Sequence, residues 1–245
     1  MTQGNSPKGI LLDLDNTLYE YRPCHDHALG DCCLLFAQRT GLTAICFEET
    51  YNRCRKQIHA ELHGVAASHN RLLYIQRTLE AVGLPLHSGL MLELYHHYWD
   101  AFLDKAVLGH GVLDFLAFCR VKGIKIALTT DLTADVQLKK VQYFALETYL
   151  DAIITSEEAG QEKPASRIFE LALKKIGLSA DNVWVVGDSV DKDILGGNRI
   201  GATTIHFSGY GDDAAEAAED MMPDFSINSF VDLLGLLRER IVHCG

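Results

Sequence analysis

The strongest constraint on the fold is a set of short apolar runs that alternate with segments of helical periodicity. The runs are rich in β-branched residues and predict buried strands at 9–14, 124–129, 152–155, 183–187 and 203–207, with a weaker strand at 225–227. Helical spacing predicts helices over 109–122, 133–146, 164–177 and 190–200, and a last one from about 229. Strands that alternate with helices indicate a parallel sheet covered on both faces. We therefore predict an α/β fold with a doubly wound, Rossmann-like parallel-sheet core.

The stretch from residue 20 to residue 104 differs from the rest of the chain because it contains no convincing strand. It carries long amphipathic patterns, such as RLLYIQRTLEAVG at 71–83, in which apolar residues recur at helical steps. We predict that 20–104 forms an all-helical cap domain. It is inserted into an α/β core domain formed by 1–19 and 105–245.

The overall composition excludes several classes of protein. The 245 residues include 33 acidic and 22 basic side chains, and the formal net charge of −11 argues against a nucleic-acid partner. No apolar run approaches the ~18 residues of a membrane span, and the polar N-terminus lacks the apolar core of a signal peptide. Seven cysteines without a CxxC pair favour a reduced protein with no disulfide framework and no zinc site. We expect a cytoplasmic protein with no membrane partner, and its oligomeric state stays open.

Polar residues follow the predicted strands at the places where a parallel sheet binds its ligands. The segments are DLDNT at 13–17, TTD at 129–131, QEKP at 161–164 and GDSVDKD at 187–193. The carboxyl ends of parallel strands lie at the same edge of a sheet, so these segments can converge. Two aspartates at the end of a buried strand repel each other, and buried charges are costly unless they are paired or bind a metal.

In their order and spacing, these four segments resemble the four motifs of the haloacid dehalogenase (HAD) superfamily. The helical stretch between the first and second motifs resembles the C1-type cap of that superfamily. The chain is therefore similar to subfamily I phosphatase-like hydrolases over nearly its whole length. Each motif alone is common at strand ends, whereas four motifs in order form a specific signal.

The resemblance implies a phosphatase that works through an aspartyl-phosphate intermediate. Asp13 would be the nucleophile, and Asp15 would protonate the leaving alcohol and later deprotonate the attacking water. Thr130 would hold phosphoryl oxygens, and Lys163 would neutralise developing charge. We expect Pro164 to occupy the first position of the following helix, which would set where Lys163 emerges.

The same resemblance implies Mg²⁺ as the cofactor, because this ion prefers oxygen ligands. The predicted ligands are Asp13, the backbone carbonyl of Asp15, and Asp188, with Asp193 supporting them. HAD dehalogenases lack the equivalent of Asp15, since attack on a carbon–halogen bond needs no proton delivered to an alkoxide. The presence of Asp15 in this chain therefore favours phosphate chemistry over dehalogenation.

Candidate contacts to the rest of the substrate are less specific. Backbone amides near Leu14 and Asp131 would hold phosphoryl oxygens. The side chains that we predict to contact the substrate are Asn16, Asp131, Arg22, His69 and Arg71.

Several of these residues have ordinary alternatives. Asp15 and Asn16 could be turn residues, and Thr130 could cap a helix. Lys163 could be a solvated lysine. Arg71 could lie on a solvated helix face, with Tyr74 packed inside the cap. We interpret Glu162 as a solvated loop charge.

The predicted function is hydrolysis of a small soluble phosphomonoester, either a sugar phosphate or a nucleoside monophosphate. Two alternatives remain open at this stage. One is a phosphomutase on the same core, which would isomerise its substrate rather than release phosphate. The other is a non-catalytic module that binds a phosphorylated ligand.

Overall fold

The computed structural model of this chain describes residues 6–84, 86–211 and 218–242. In these ranges the strands are β1 (Gly9–Leu12), β2 (Lys125–Thr130), β3 (Ala152–Thr155), β4 (Val183–Gly187), β5 (Thr203–Phe207) and β6 (Phe225–Ile227). The first helices are α1 (Tyr21–Thr40), α2 (Ala44–Glu61), α3 (Arg71–Ala81), α4 (Ser88–Lys105) and α5 (Val112–Val121). They are followed by α6 (Ala134–Tyr143), α7 (Ser156–Ala159), α8 (Ser166–Ile176), α9 (Leu195–Ile200) and α10 (Phe230–Val242).

The six strands form one parallel sheet in the order β3-β2-β1-β4-β5-β6, which confirms the predicted α/β class. Side chains alternate between the two faces of each strand. Ile10 and Leu12 pack into the larger apolar cluster on one face, whereas Leu11 packs with Phe169 on the other. Both faces of β1 are therefore buried, which explains its continuous apolar sequence.

The strand order reverses at β1, which lies between β2 and β4. Leu12 is paired with Val186, and the amide of Asp13 donates a hydrogen bond to the carbonyl of Val186 at 2.9 Å. Such a reversal opens a crevice beyond the carboxyl ends of the two neighbouring strands. The segments that follow β1 and β4 are the first and fourth motifs, so the topology brings them together.

Residues 21–105, called the helical insert below, contain α1 to α4, and no strand lies in the described ranges 21–84 and 86–105. Local signals set the ends of these helices. Gly41, with φ of 75°, ends α1, and the side chains of Thr43 and Asn70 cap α2 and α3 by accepting hydrogen bonds from backbone amides. The insert packs against the same apolar cluster that covers one face of the sheet. That it acts as a separate domain remains a prediction.

The segment around Pro164 differs from our prediction. Helix α8 begins at Ser166, so the prediction that Pro164 opens this helix is wrong. The amide of Ala165 bonds to the carbonyl of Glu162, and the amide of Lys163 bonds to the carboxylate of Asp131 at 3.1 Å. These bonds form a turn that is tied to the sheet edge, and the helix starts only after it.

Two other observations concern the described ranges alone. No helix within them is long and apolar enough to cross a membrane. The six cysteines within them are free thiols, five of which are buried, and Cys244 lies outside them.

His25 on α1 is a buried histidine with a strongly lowered pKa. Its Nδ1 lies 2.6 Å from the hydroxyl oxygen of Tyr98. Burial, together with the charge of Arg55, lowers the pKa of His25 from 6.5 to about 4. The unfolded chain therefore binds this proton at a higher pH than the folded chain. The contribution of His25 lowers the free energy of unfolding as the pH falls from 6.5 towards 4.

We predict that the His25→Leu variant loses less stability than the parent protein between about pH 7 and pH 5. The expected difference is roughly 1–2 kcal/mol, measured by urea unfolding at both pH values. The His27→Leu variant is a matched control, because His27 is exposed on the same helix. An unchanged pH dependence in the His25→Leu variant would contradict this prediction.

Candidate active site

Asp13 lies just beyond β1 and is held by groups from distant parts of the chain. Its Oδ1 accepts a hydrogen bond from the ammonium of Lys163 at 2.6 Å, and its Oδ2 accepts one from the hydroxyl of Thr17 at 2.9 Å. The same ammonium donates to Asp193 at 2.7 Å and to the carbonyl of Thr129 at 3.2 Å. Predicted residues from three motifs therefore meet at one buried ammonium group.

A third carboxylate, that of Asp188, completes an acidic cluster. One oxygen each from Asp13, Asp188 and Asp193 lie within 4.8 Å of one another. Burial, followed by the charge of Asp193, raises the pKa of Asp188 to about 7. Burial also raises the pKa of Asp13 well above its usual value, although Lys163 opposes this effect. Lys163 can balance only one of three negative charges, so this oxygen-rich cluster fits a hard divalent cation.

In the fourth motif, the carboxylate of Asp193 lies directly against the backbone of Gly187. A Cβ atom on Gly187 would lie 2.2 Å from Cγ of Asp193, so a larger residue would displace this carboxylate. Residues 190–194 form a π-helical turn, and the amide of Ser189 donates to Oδ2 of Asp193 at 3.2 Å. This turn returns Asp193 to the end of β4, beside Asp188.

Asp15 is held by a residue that sequence reasoning missed. The ammonium of Lys140, on α6, lies 2.6 and 2.9 Å from the two carboxylate oxygens of Asp15. Gln137 donates to Asp15 at 3.1 Å, and the hydroxyl of Tyr19 also donates to it. Burial by itself would raise the pKa of Asp15, but Lys140 and these hydrogen bonds hold it below its usual value. Asp15 is therefore ionised in this arrangement.

Lys140 is fully buried among aromatic side chains, which we call the aromatic box. Its Nζ lies 5.4–5.8 Å from the ring centres of Tyr19, Tyr21, Trp99 and Phe102. Rings at this distance attract a cation electrostatically. Because three of the four rings belong to the helical insert, the insert helps to place the cation that holds Asp15.

Asn16 and Thr130 lie where they were predicted, and each has a local structural partner. Asn16 adopts a left-handed backbone conformation with φ of 62°, and its side-chain oxygen accepts the amide of Tyr21 at 3.0 Å. Thr130 is buried at the end of β2, and its hydroxyl accepts a hydrogen bond from Gln137. It does not cap α6, because the residue that precedes this helix is Thr133.

Residues of the four motif segments and of the helical insert line a cavity of about 270 Å³ between the sheet edge and the insert. Arg22 is the only predicted site residue that does not line it, because its side chain is 83% exposed and pairs with Asp26. The predicted residues that do line it are Asp13, Asp15, Asn16, His69, Arg71, Thr130, Asp131, Lys163, Asp188 and Asp193.

Two acidic residues at the rim have structural partners that the sequence did not reveal. Asp131 accepts the amide of Lys163 and, on its other oxygen, the ammonium of Lys192 at 2.9 Å. The side chain of Glu162 is only 10% exposed, and it lies 3.0 Å from Nε2 of His69 in the helical insert. The interpretation of Glu162 as a solvated charge is therefore wrong, because it bridges the core and the insert.

Arg71 and Tyr74 occupy different positions relative to the cavity. Arg71 is buried and lines it, so the alternative of a solvated arginine is wrong. Tyr74 is buried inside the helical insert, with its hydroxyl 2.6 Å from Nε2 of His59. The packing alternative for Tyr74 is therefore confirmed.

Comparison with known proteins identifies the class that this fold and site define. Residues 7–201 match the family model described as hydrolase, haloacid dehalogenase-like hydrolase. The chain therefore belongs to the haloacid dehalogenase-like hydrolases, as its four motifs predict.

Individual relatives cover almost the whole chain. A ribulose-1,5-bisphosphate 5-phosphatase from Halopiger xanaduensis is 37% identical over 95% of this chain and 98% of its own length. A glyceraldehyde 3-phosphate phosphatase from Methanopyrus kandleri is 27% identical over 95% of this chain and 97% of its own. The solved structure of a 2-haloacid dehalogenase from Pseudomonas syringae superposes with a TM-score of 0.72 at 23% identity, covering 96% of this chain and 98% of that one. This last likeness shows the fold alone.

We predict that the Lys140→Met variant is destabilised by about 3–5 kcal/mol, because it leaves the carboxylate of Asp15 without its cation. The double variant Asp15→Asn with Lys140→Met should recover part of this loss, since it removes both charges. Urea unfolding of the two single variants and the double variant gives the coupling energy.

The matched control is Lys139→Met, which changes a partly exposed lysine next to Lys140 on α6. It should alter the free energy of unfolding by less than about 0.5 kcal/mol. Additive losses for Asp15→Asn and Lys140→Met would show that the two residues do not interact.

Proposed function

We propose that this protein is a Mg²⁺-dependent phosphatase that hydrolyses a small sugar phosphate through an aspartyl-phosphate on Asp13. The observation that carries the proposal is the position of Asp13. Its carboxylate accepts a hydrogen bond from the ammonium of Lys163, lies close to the carboxylates of Asp188 and Asp193, and lines a cavity of small-molecule size. A nucleophile, charge neutralisation and a cation site are therefore adjacent.

The relatives support a phosphorylated sugar as the substrate class. Two relatives match this chain over nearly its whole length. One is named a ribulose-1,5-bisphosphate 5-phosphatase and the other a glyceraldehyde 3-phosphate phosphatase. Both named substrates are short sugars that carry a phosphomonoester. A cavity of about 270 Å³ suits a molecule of this size.

The acidic cluster supports Mg²⁺ as the cofactor. Asp13 and Asp188 would hold the ion with the backbone carbonyl of Asp15, while Asp193, already bonded to Lys163 and Ser189, would support them. When bound, the ion would offset the charge of the phosphoryl group and orient it.

The chemistry of the chain's own residues follows from their positions. Asp13 would attack phosphorus as the bond to the leaving alcohol breaks, and Asp15 would supply the proton that this alcohol needs. Asp15 would then take a proton from water, whose oxygen attacks phosphorus and releases inorganic phosphate from Asp13. Lys163 would neutralise charge in both steps. The negative charge of a bound phosphoryl group raises the pKa of Asp15, which favours the protonated form required first.

The combination of Asp13 and Asp15 argues against two of the other functions considered. Halide displacement needs no acid at the position of Asp15, and a module that only binds a ligand needs neither a nucleophile nor an acid. A phosphomutase would use both residues, and it differs in returning an isomer rather than free phosphate.

We predict Mg²⁺-dependent release of inorganic phosphate from sugar phosphates, measured as kcat/KM over a panel that also contains nucleoside monophosphates. Asp13→Asn should lower kcat by more than about 1,000-fold, because it removes the nucleophile. EDTA should abolish the release, and Asp114→Asn on the exposed surface of α5 should leave it unchanged. Formation of a phosphorylated isomer without free phosphate would overturn the proposal.

We also predict that Mg²⁺ stabilises the folded protein without any substrate. Saturation at about 100 times the dissociation constant should raise the free energy of unfolding by about 2.7 kcal/mol. Asp188→Asn should remove most of this gain, whereas Asp114→Asn should keep it. Equal stabilisation of both variants would contradict the assignment of Asp188 as a ligand.

A further inference from the structure

Two arginines of the helical insert line the active-site cavity without an acidic partner. They are Arg55 on α2 and Arg71 at the start of α3. Neither forms an ion pair with a carboxylate in the described part of the chain. The other basic side chains that line the cavity are already paired: Lys163 with Asp13 and Asp193, Lys192 with Asp131, and His69 with Glu162.

Arg71 is the stronger observation because its guanidinium is buried. The residue is only 5% exposed. It donates hydrogen bonds to the backbone carbonyl of His69 at 2.6 Å and to the hydroxyl of Tyr21, and both acceptors are neutral. Its Nε is buried and has no hydrogen-bond partner among the described residues. A buried charge is costly when no opposite charge pairs with it directly, and the carboxylate of Asp15 acts on Arg71 without forming an ion pair, so a bound anion would offset this cost.

The surroundings of Arg71 stabilise a cation but do not neutralise it. Four aromatic ring centres, those of Tyr21, Tyr74, Tyr98 and Trp99, lie 5.5–5.8 Å from its guanidinium carbon. Aromatic packing also restricts the side chain, so a ligand would not have to order it. The result is a preformed cationic group that faces a cavity for small molecules.

We infer that Arg55 and Arg71 form a second anion subsite, which binds a second phosphate group on the same substrate. This inference rests on the proposed function, in which Asp13 receives the first phosphoryl group. Guanidinium groups match both carboxylate and phosphate oxygens with paired hydrogen bonds, and two guanidinium groups together favour phosphate because it carries the higher negative charge. Arg55 and Arg71 line the same cavity of about 270 Å³ as Asp13, so one short molecule can carry both phosphates. The substrate class is therefore a small sugar bisphosphate, and the two arginines select it over the monophosphate.

The test compares bisphosphates with matched monophosphates in the full-length protein. The substrate pairs are ribulose 1,5-bisphosphate with ribulose 5-phosphate, and fructose 1,6-bisphosphate with fructose 6-phosphate. We expect the parent protein to prefer a bisphosphate. Arg55→Gln and Arg71→Lys should each lower kcat/KM for it by roughly 10- to 100-fold, and change kcat/KM for the monophosphate by less than about threefold.

Matched controls come from the same two helices. Arg53→Gln changes an exposed arginine on α2, and Arg77→Gln changes one on α3 that pairs with Glu61 at 2.7 Å. Both should leave the preference unchanged. Circular dichroism and thermal unfolding establish whether each variant is folded. If Arg71→Lys does not fold, Arg55→Gln keeps the test decisive.

A binding measurement separates this inference from the proposed function. Titration calorimetry of the Asp13→Asn protein in Mg²⁺ should give a dissociation constant for the bisphosphate at least about tenfold lower than for the monophosphate. Arg55→Gln in this background should abolish the difference. If the parent protein released no phosphate from any of these substrates while this difference in binding stayed intact, only the proposed function would be overturned. Equal binding of both ligands, or equal losses for both in the arginine variants, would overturn the second subsite.

Discussion

The ammonium of Lys163 is the group on which the arrangement of the site depends. It lies between the carboxylates of Asp13 and Asp193, which leave neighbouring strands and would otherwise repel each other in a buried position. The backbone of Lys163 is in turn held by Asp131, so the position of this one charge is set by the ends of β1, β2 and β4 together. This neutralisation allows the carboxylates of Asp13 and Asp193 to lie within 4.8 Å of each other and of Asp188.

The helical insert contributes more than a cover over this centre. It supplies three rings of the aromatic box around Lys140, and it supplies His69, which lies 3.0 Å from Glu162 of the core. It also carries Arg55 and Arg71, which have no acidic partner among the residues that the structure describes. In the proposed function the core would hold the reacting end of a substrate, while the insert would present positive charge to the opposite end. The insert also completes the support of Asp15.

The sequence predicted the sheet and its motif residues well, because both depend on local signals. Apolar runs give β3, β4, β5 and β6 with the bounds that the structure has, and the motif side chains follow strand ends whose convergence is a rule of parallel sheets. Lys140 escaped because it meets Asp15 from 125 positions away, and no local pattern announces such a pair. Arg55 lies in a polar stretch that is typical of a solvated helix. The helix-start preference of Pro164 was overridden by hydrogen bonds to the sheet edge.

The aromatic box has a consequence for how such enzymes can diversify. Lys140 belongs to the core, but most of the rings that enclose it belong to the insert. The contact between the two parts therefore includes the groups that support Asp15. A chimaera that joined this core to a foreign insert would lose part of the enclosure of Lys140 along with the old selectivity. A replacement insert would keep this support of Asp15 only if it brought aromatic residues to the same places around Lys140.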